Sequence, residues 1–265
     1  MYNFSTFENQ YVIEGIIQLE TPLHIWSGES SVYGTDNSVV KTVDGKPYIP
    51  GSSLKGVLRA YLERLAQTKA IKAPGYAEPC VFGEKMCLSD FNNKTARKQL
   101  KEKLGDDKQK FEDYLNKNSC PICHLFGNNL RAAKVKITDA NVIMSHWLGK
   151  FEIREGVGIG RDKGTAVHGA KYDFEVVPAN TQFQVKIIAD NLTKVEEQWL
   201  FIALHSLIQG RIFLGGKIAR GLGHIIGKDW HVSKFEAKNL ESLLQEYEEQ
   251  KVDFTTFLKQ EVFKK

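Results

Sequence analysis

Apolar and polar residues fall into segments of different period along the chain. From Gln10 to Glu20 the run QYVIEGIIQLE is dense in apolar and β-branched residues, which predicts a strand ending at Thr21-Pro22. LHIWSGESSVYGTDN follows, where Gly28, Gly34 and polar residues break any period, and predicts an irregular loop carrying Asp36. VVKTV is a short strand-like piece closed by an Asp44-Gly45 turn. After Pro50-Gly51-Ser52-Ser53 the period becomes helical. Leu54, Val57, Leu58, Tyr61 and Leu65 recur on one stripe behind a serine cap, with Lys55 and Arg59 one turn apart on the other side.

Residues 73–129 lose this periodicity and read as an insertion, whose charged run KTARKQLKEKLGDDKQKFEDYLNK predicts one or two solvated helices. AAKVKITDANVI then alternates, predicting a half-buried strand with Lys134 and Lys136 on a shared wet face. Residues 151–189 show strand patterns on both sides of a glycine-rich basic centre, the signature of a long hairpin followed by a strand. Leu192, Val195, Trp199, Leu200, Ile202, Ala203 and Leu207 then form a helical stripe ending at Gly210, with His205 beside it as core packing. RIFL and HIIGKDWHV predict two further strands, and the tail from Ser233 a helix against the body. This order fits an α+β fold with a ferredoxin-like β-α-β-β-α-β core; a doubly wound parallel sheet fits less well, because the helices are too few for the strands.

The length of 265 residues suits one large domain, or one domain with a substantial insertion. With 42% hydrophobic and 26% charged residues the chain has material for a core, which excludes disordered and collagen-like classes. No apolar run reaches the length of a membrane span, and MYNFSTFENQ has neither a basic n-region nor an apolar h-region, so a cytoplasmic protein without membrane contact is expected. A net charge of +4 is mild, so a polyanionic partner would require the basic residues to be concentrated on one surface.

All four cysteines, Cys80, Cys87, Cys120 and Cys123, fall within the insertion. Cys120-Pro-Ile-Cys123 has the spacing of a metal knuckle, and Cys80 and Cys87 form a wider pair. The set predicts a structural zinc, with His124 as a substitute ligand, against the alternative of free or packed thiols. Four sulfur ligands would leave no open position for a catalytic water.

GGKIARGLGHI offers backbone N–H groups with Lys217 and Arg220 to an anion, against the alternative of a tight structural turn. It is not a P-loop, since no Gly-Lys-Ser/Thr follows. Asp36 in YGTDN suits a cation ligand beside a phosphate, or a base towards a ribose 2′-hydroxyl; the competing reading is an Asx-turn with Asn37. His24 is open between a polar contact and a satisfied core histidine.

In this order, LHIWSG, YGTDNSVVKTVDGKPYIPGSSLKGVLR, CPICHLFG, residues 161–174, FEVVPANTQF and LGGKIARGLGHI resemble the RAMP superfamily of CRISPR-associated proteins. Within it they are most similar to the repeated backbone subunit of type III effector complexes. The resemblance spans nearly the whole chain apart from the charged stretch of the insertion and the C-terminal tail, and departs at Trp26, where a small residue is common. It implies a single RAMP domain over residues 1–265 with an RRM-like core, an inserted lobe at 73–129, a thumb-like β-hairpin at 151–177 and a C-terminal helical extension. It further implies binding to a crRNA guide, a target RNA, other effector subunits and further copies of the chain, with Mg²⁺- or Mn²⁺-dependent target cleavage at Asp36. Ser52, Ser53, Lys55 and Arg59 match the family's guide-binding helix start. Arg161, Lys163 and Lys171 fall in the thumb, Lys217 and Arg220 in the glycine-rich element, and His24 joins them as an RNA contact. Two alternatives stay open: a catalytically inactive scaffold, and a crRNA-processing endoribonuclease of the same superfamily.

Overall fold

The computed structural model describes residues 6–28, 36–68, 73–80, 87–88, 96–105, 107–236 and 251–263. In chain order the main elements are β1 (Asn9–Leu19), β2 (Tyr48–Ile49), α1 (Gly51–Ala66), α2 (Ala96–Leu104), α3 (Lys108–Lys117), α4 (Pro121–Phe126), β3 (Val135–Ile137), β4 (Ala140–Val142), β5 (Glu152–Ile159), β6 (Ala166–Val176), β7 (Gln182–Asp190), α5 (Lys194–Ile208), β8 (Ile225–Glu236), β9 (Val252–Asp253) and α6 (Phe254–Phe257). The fold is α+β, and among the described residues no helix is long and apolar enough to cross a membrane.

Alternation makes β1 the spine of the sheet. It runs antiparallel between β7 and β8, with Ile13 opposite Ile187 on one side and Val232 on the other. The sheet order is β2-β4-β7-β1-β8-β9, with β3 also on β7. Ile13, Ile17, Phe183, Val185 and Ile187 point into one core with Leu54, Leu58 and Leu62 of α1 and Leu200 and Leu204 of α5. Each such side chain contributes roughly 1.5–3 kcal/mol of burial. The opposite face is mixed, with a Glu14–Lys186 ion pair at 3.0 Å and a Gln18–Gln182 hydrogen bond beside Val12, which lies opposite Ile188. β5 and β6 form a separate two-stranded sheet, on which Ile153, Val157, Ile159 and Val167 are exposed.

Several expectations are corrected here. No serine caps α1: its N-cap is Pro50, and Asp139, between β3 and β4, accepts the Gly51 N–H at 2.8 Å. A tertiary carboxylate does the work assigned to a local hydroxyl. RIFL is not a strand among the described residues; Ile212 and Leu214 are buried while Phe213 is exposed, which reproduces the alternation without a ladder. VVKTV forms isolated bridges, Val39 with Trp26 and Lys41 with Pro47, instead of a strand. Ser233 to Glu236 continue β8, so the sequence there is sheet where a helical tail was expected; residues 237–250 lie outside the described set.

Lys134 is the largest departure. Instead of sharing a wet face with Lys136 it is 1% exposed, and its ammonium donates to Glu196 and to the Asn191 carbonyl, both at 2.6 Å. Lys136 does reach the surface, paired with Asp190. The charged run does form two helices, α2 and α3, around a small cluster of Leu100, Leu115 and Leu130, whereas every residue of α4 is buried and Ile122, Leu125 and Phe126 join the main core.

Candidate functional site

Strand β6 organises the candidate site because its edges and faces serve different neighbours. Phe174 pairs with Arg154 of β5 and, in parallel, with Asn37, so residues 36–37 lie along the edge of β6 away from β5. Glu175 N–H donates to the Asn37 carbonyl at 3.0 Å. The Glu175 carboxylate in turn accepts from Val39 N–H at 3.1 Å and Lys41 Nζ at 2.8 Å. Asp36 itself is exposed: its N–H donates to Asp173 Oδ1 at 2.7 Å, and its Oδ2 accepts from Asp173 N–H at 3.1 Å. The Asx-turn reading of Asp36 gives way to this contact with β6. Tyr33, Gly34 and Thr35 of YGTDN lie outside the described residues.

On the face of β6 carrying Tyr172 and Phe174, the glycine-rich loop supplies cations. Lys217 Nζ lies 5.0 Å from the Tyr172 ring centre and 4.4 Å from that of Phe174, and the Arg220 guanidinium lies 5.5 Å from Tyr172 and donates to its hydroxyl. These cation–π contacts hold flexible side chains in place while leaving N–H groups for an anion. The glycines are forced by close approach. At Gly215 (φ +79°) a Cβ would lie 2.4 Å from the His24 carbonyl, and at Gly223 (φ +79°) it would lie 2.0 Å from the Leu214 carbonyl.

Two residues expected to contact RNA are placed otherwise. His24 is 4% exposed; its Nδ1 donates to the Glu175 carbonyl at 2.7 Å and its ring packs edge-on against Phe174. Burial, with the charge of Lys217, lowers its pKa, so it is a neutral prop beneath the loop and not an exposed contact. Arg59 is held by Glu63 at 2.8 Å and the Gly127 carbonyl at 3.0 Å, and its Nη2 lies 4.0 Å from Cys123 Sγ, so it faces the cysteines and not a free surface. Lys55 is half-buried near Arg59; burial first, then that neighbouring charge, lowers its pKa. Ser52 is exposed and Ser53 half-buried on the first turn of α1. On the hairpin, Arg161 and Lys163 are exposed at the tip, and Lys171 pairs with Glu155 at 3.1 Å on the surface.

The four cysteine sulfurs lie within 4.8 Å of one another, with Cys80 Sγ 3.7 Å from that of Cys120 and 3.4 Å from that of Cys123. Three of the residues are buried and Cys87 is partly exposed. Four convergent thiols with Arg59 alongside can hold a metal ion as thiolates. His124, expected as a substitute ligand, does not belong to this convergent group; its Nδ1 bonds Glu196 Oε1 at 2.8 Å in the buried network of Lys134. Tyr172, Asp173 and Phe174 are the site residues that sequence reading missed; YDF offered an aromatic–acid–aromatic alternation, but the basic residues of the hairpin drew the reading.

Residues 16–226 match the RAMP superfamily. The chain is similar to the CRISPR system Cms endoribonuclease Csm3 of Methanocaldococcus jannaschii, with 28% identity over 236 residues, covering 84% of this chain and 81% of that protein. A second protein of that name, from Methanothermobacter thermautotrophicus, is 43% identical over 60 residues, covering 22% of this chain and 24% of its own. The chain belongs to the RAMP superfamily.

Proposed function

We propose that this chain is a backbone subunit of a type III CRISPR ribonucleoprotein, that it binds guide RNA without regard to sequence, and that it cleaves the paired target RNA at Asp36. The observation that carries this reading is that residues 172–174 of β6 meet both the exposed carboxylate Asp36, along the strand edge, and the cations Lys217 and Arg220, over the Tyr172 and Phe174 rings. The endoribonuclease name of the relatives supports it. The β1-α1-β3/β4-β7-α5-β8 order supports an RRM-like core within a single domain, with 73–129 as an inserted lobe and 151–177 as a thumb-like hairpin. Lys55, Ser52 and Ser53 at the start of α1, Lys217 and Arg220 on the loop, and Arg161, Lys163 and Lys171 on the hairpin would hold phosphates, leaving sequence recognition to base pairing. The partners are a crRNA, its target, other effector subunits and further copies of the chain, in the cytoplasm.

The donor set around Asp36 fits a hard divalent cation such as Mg²⁺ or Mn²⁺. One Asp36 oxygen accepts from Asp173 N–H while the carboxylate is exposed, so Asp36 presents the oxygen ligand that such a cation takes. Such a cation, when bound, supplies positive charge to the phosphoryl oxygens. Asp36 accepts the proton of a target 2′-hydroxyl; the 2′-oxygen then bonds to the adjacent phosphorus as the bond to the 5′-oxygen breaks, and that oxygen takes a proton from solvent water as it leaves. Lys217 and Arg220 hold flanking phosphates, and the hairpin distorts the strand towards an in-line arrangement. Zn²⁺ held by Cys80, Cys87, Cys120 and Cys123 completes the proposed assembly as a structural ion.

In an assembled complex, Asp36→Ala should slow cleavage by about 10²-fold or more at the position this subunit faces, with guide and target affinity unchanged. Parental cutting by that variant with Mg²⁺ or Mn²⁺ present would move the chemistry to another residue and leave this chain a scaffold.

A further inference from the structure

Asp173 occupies a position that its own hairpin does not favour. It stands directly across from Glu155, and like charges facing each other across two strands weaken the pairing; Lys171 draws Glu155 away to a surface ion pair at 3.1 Å. A local cost retained at one position marks a residue kept for something other than the hairpin. What Asp173 gains is a reciprocal clasp. Its Oδ1 accepts the Asp36 N–H at 2.7 Å, which fixes the backbone of Asp36, and its own N–H donates to Asp36 Oδ2 at 3.1 Å, which fixes the side chain. Among the described residues, the hydrogen bonds of Asp36 both run to Asp173. The edge pairing continues with Asn37 on Phe174 and with Val39 and Lys41 on Glu175.

We infer that Asp173 is a positioning residue that orients the Asp36 carboxylate for cleavage, so that the hairpin strand and the reacting carboxylate move as one piece. This rests on the cleavage role proposed for Asp36. Asp173 acts through its acceptor oxygen and not through its charge. Removing that acceptor leaves Asp36 attached to β6 only through its side chain, and a carboxylate displaced by about 1 Å costs on the order of 10²-fold in rate.

The test compares Asp173→Ala, Asp173→Asn and Asp36→Ala in the assembled complex with its guide. Asp173→Ala should lower single-turnover cleavage about 10²-fold at saturating target while leaving target affinity within about twofold, and Asp173→Asn, which keeps an acceptor oxygen, should recover to within about threefold of the parent. In metal-free protein, deuterium uptake over residues 36–41 should rise in Asp173→Ala and stay parental in Asp173→Asn. If Asp36→Ala is inactive while Asp173→Ala cuts at the parental rate, the positioning role is overturned and the cleavage role of Asp36 stands. If Asp173→Asn is as slow as Asp173→Ala, a carboxylate charge is required and positioning by hydrogen bonding is overturned. If Asp36→Ala itself cuts normally, the underlying reading fails, and the exchange result alone then reports whether the clasp exists.

Discussion

Lys134 carries an ammonium into the core, and its partner Glu196 is fully buried at the start of α5, where it also accepts the Thr193 N–H of a capping box. Burial opposes the charged carboxylate, yet the His124 hydrogen bond and the charge and hydrogen bond of Lys134 hold Glu196 at about 2, below its ordinary 4.5. A depressed carboxylate contributes stability that is complete above its unfolded pKa. That contribution is therefore expected above about pH 4.5 and lost as the pH falls towards 2. Glu196→Gln leaves Lys134 without its counter-charge and should cost on the order of 3–5 kcal/mol at neutral pH, while flattening the acid-linked loss. Urea midpoints measured from pH 7 downwards would show this as converging curves; parallel curves for parent and variant would contradict it. Nothing near Lys134 in the sequence announces this role. Its partner comes 62 residues later, and alternation alone assigns a lysine to the wet face. Asp36 was legible as a polar loop carboxylate, but its anchor, Asp173, lies 137 residues away.

Among the elements, the cysteine segment shows how far spacing carries. Cys120-Pro-Ile-Cys123 is readable because two residues between thiols bring them onto one side of a short turn. Here that turn is α4, opened by Pro121 at its first position. That Cys80 and Cys87 converge on the same point is a property of the folded chain, which no spacing gives. The cluster joins a buried helix of the main core to residues 80 and 87, which lie outside any described helix or strand, while α2 and α3 rest on a small cluster of Leu100, Leu115 and Leu130 with Leu88, Leu104, Phe111 and Tyr114 packed against it. Zinc at the four sulfurs would therefore hold this region more than the sheet does. Protein purified without chelator should contain about one zinc per chain, four thiolates making one closed site. Its removal by a strong chelator should raise deuterium uptake over residues 73–130 while β1, β7 and β8 stay protected. Protein that folds normally with a negligible zinc content would leave the cluster as packed thiols.

For the whole molecule, the order of strands and helices was legible because the two long helices and the core strands each keep one period over many residues, and so was the hairpin, from patterns flanking a glycine-rich centre. The misread pieces are short: in RIFL alternation reports burial without reporting pairing, and in VVKTV Val39 is buried while Val43 is fully exposed. The hairpin has two physical zones. At its root, Glu152 to Gly156 pair with Val176 to Tyr172, where Asp173 meets Asp36 and the aromatic rings meet Lys217 and Arg220. Beyond Val157 and Lys171 it carries Ile159, Val167, Arg161 and Lys163, all exposed and apart from the main core. Apolar side chains on an isolated ribbon lose little by covering a base step, and the adjacent cations suit its phosphates. Replacing residues 158–170 by Asn-Gly should close a two-residue turn between Val157 and Lys171 and keep the root intact. That variant is expected to melt within a few degrees of the parent, because the removed residues leave the core untouched. It should assemble poorly on guide RNA and lose the regular spacing of its cuts, since the remaining root has nothing long enough to separate neighbouring bases. Assembly and a cutting pattern indistinguishable from the parent would show that the outer hairpin does not touch the guide–target duplex, and that the root alone makes the RNA-facing surface.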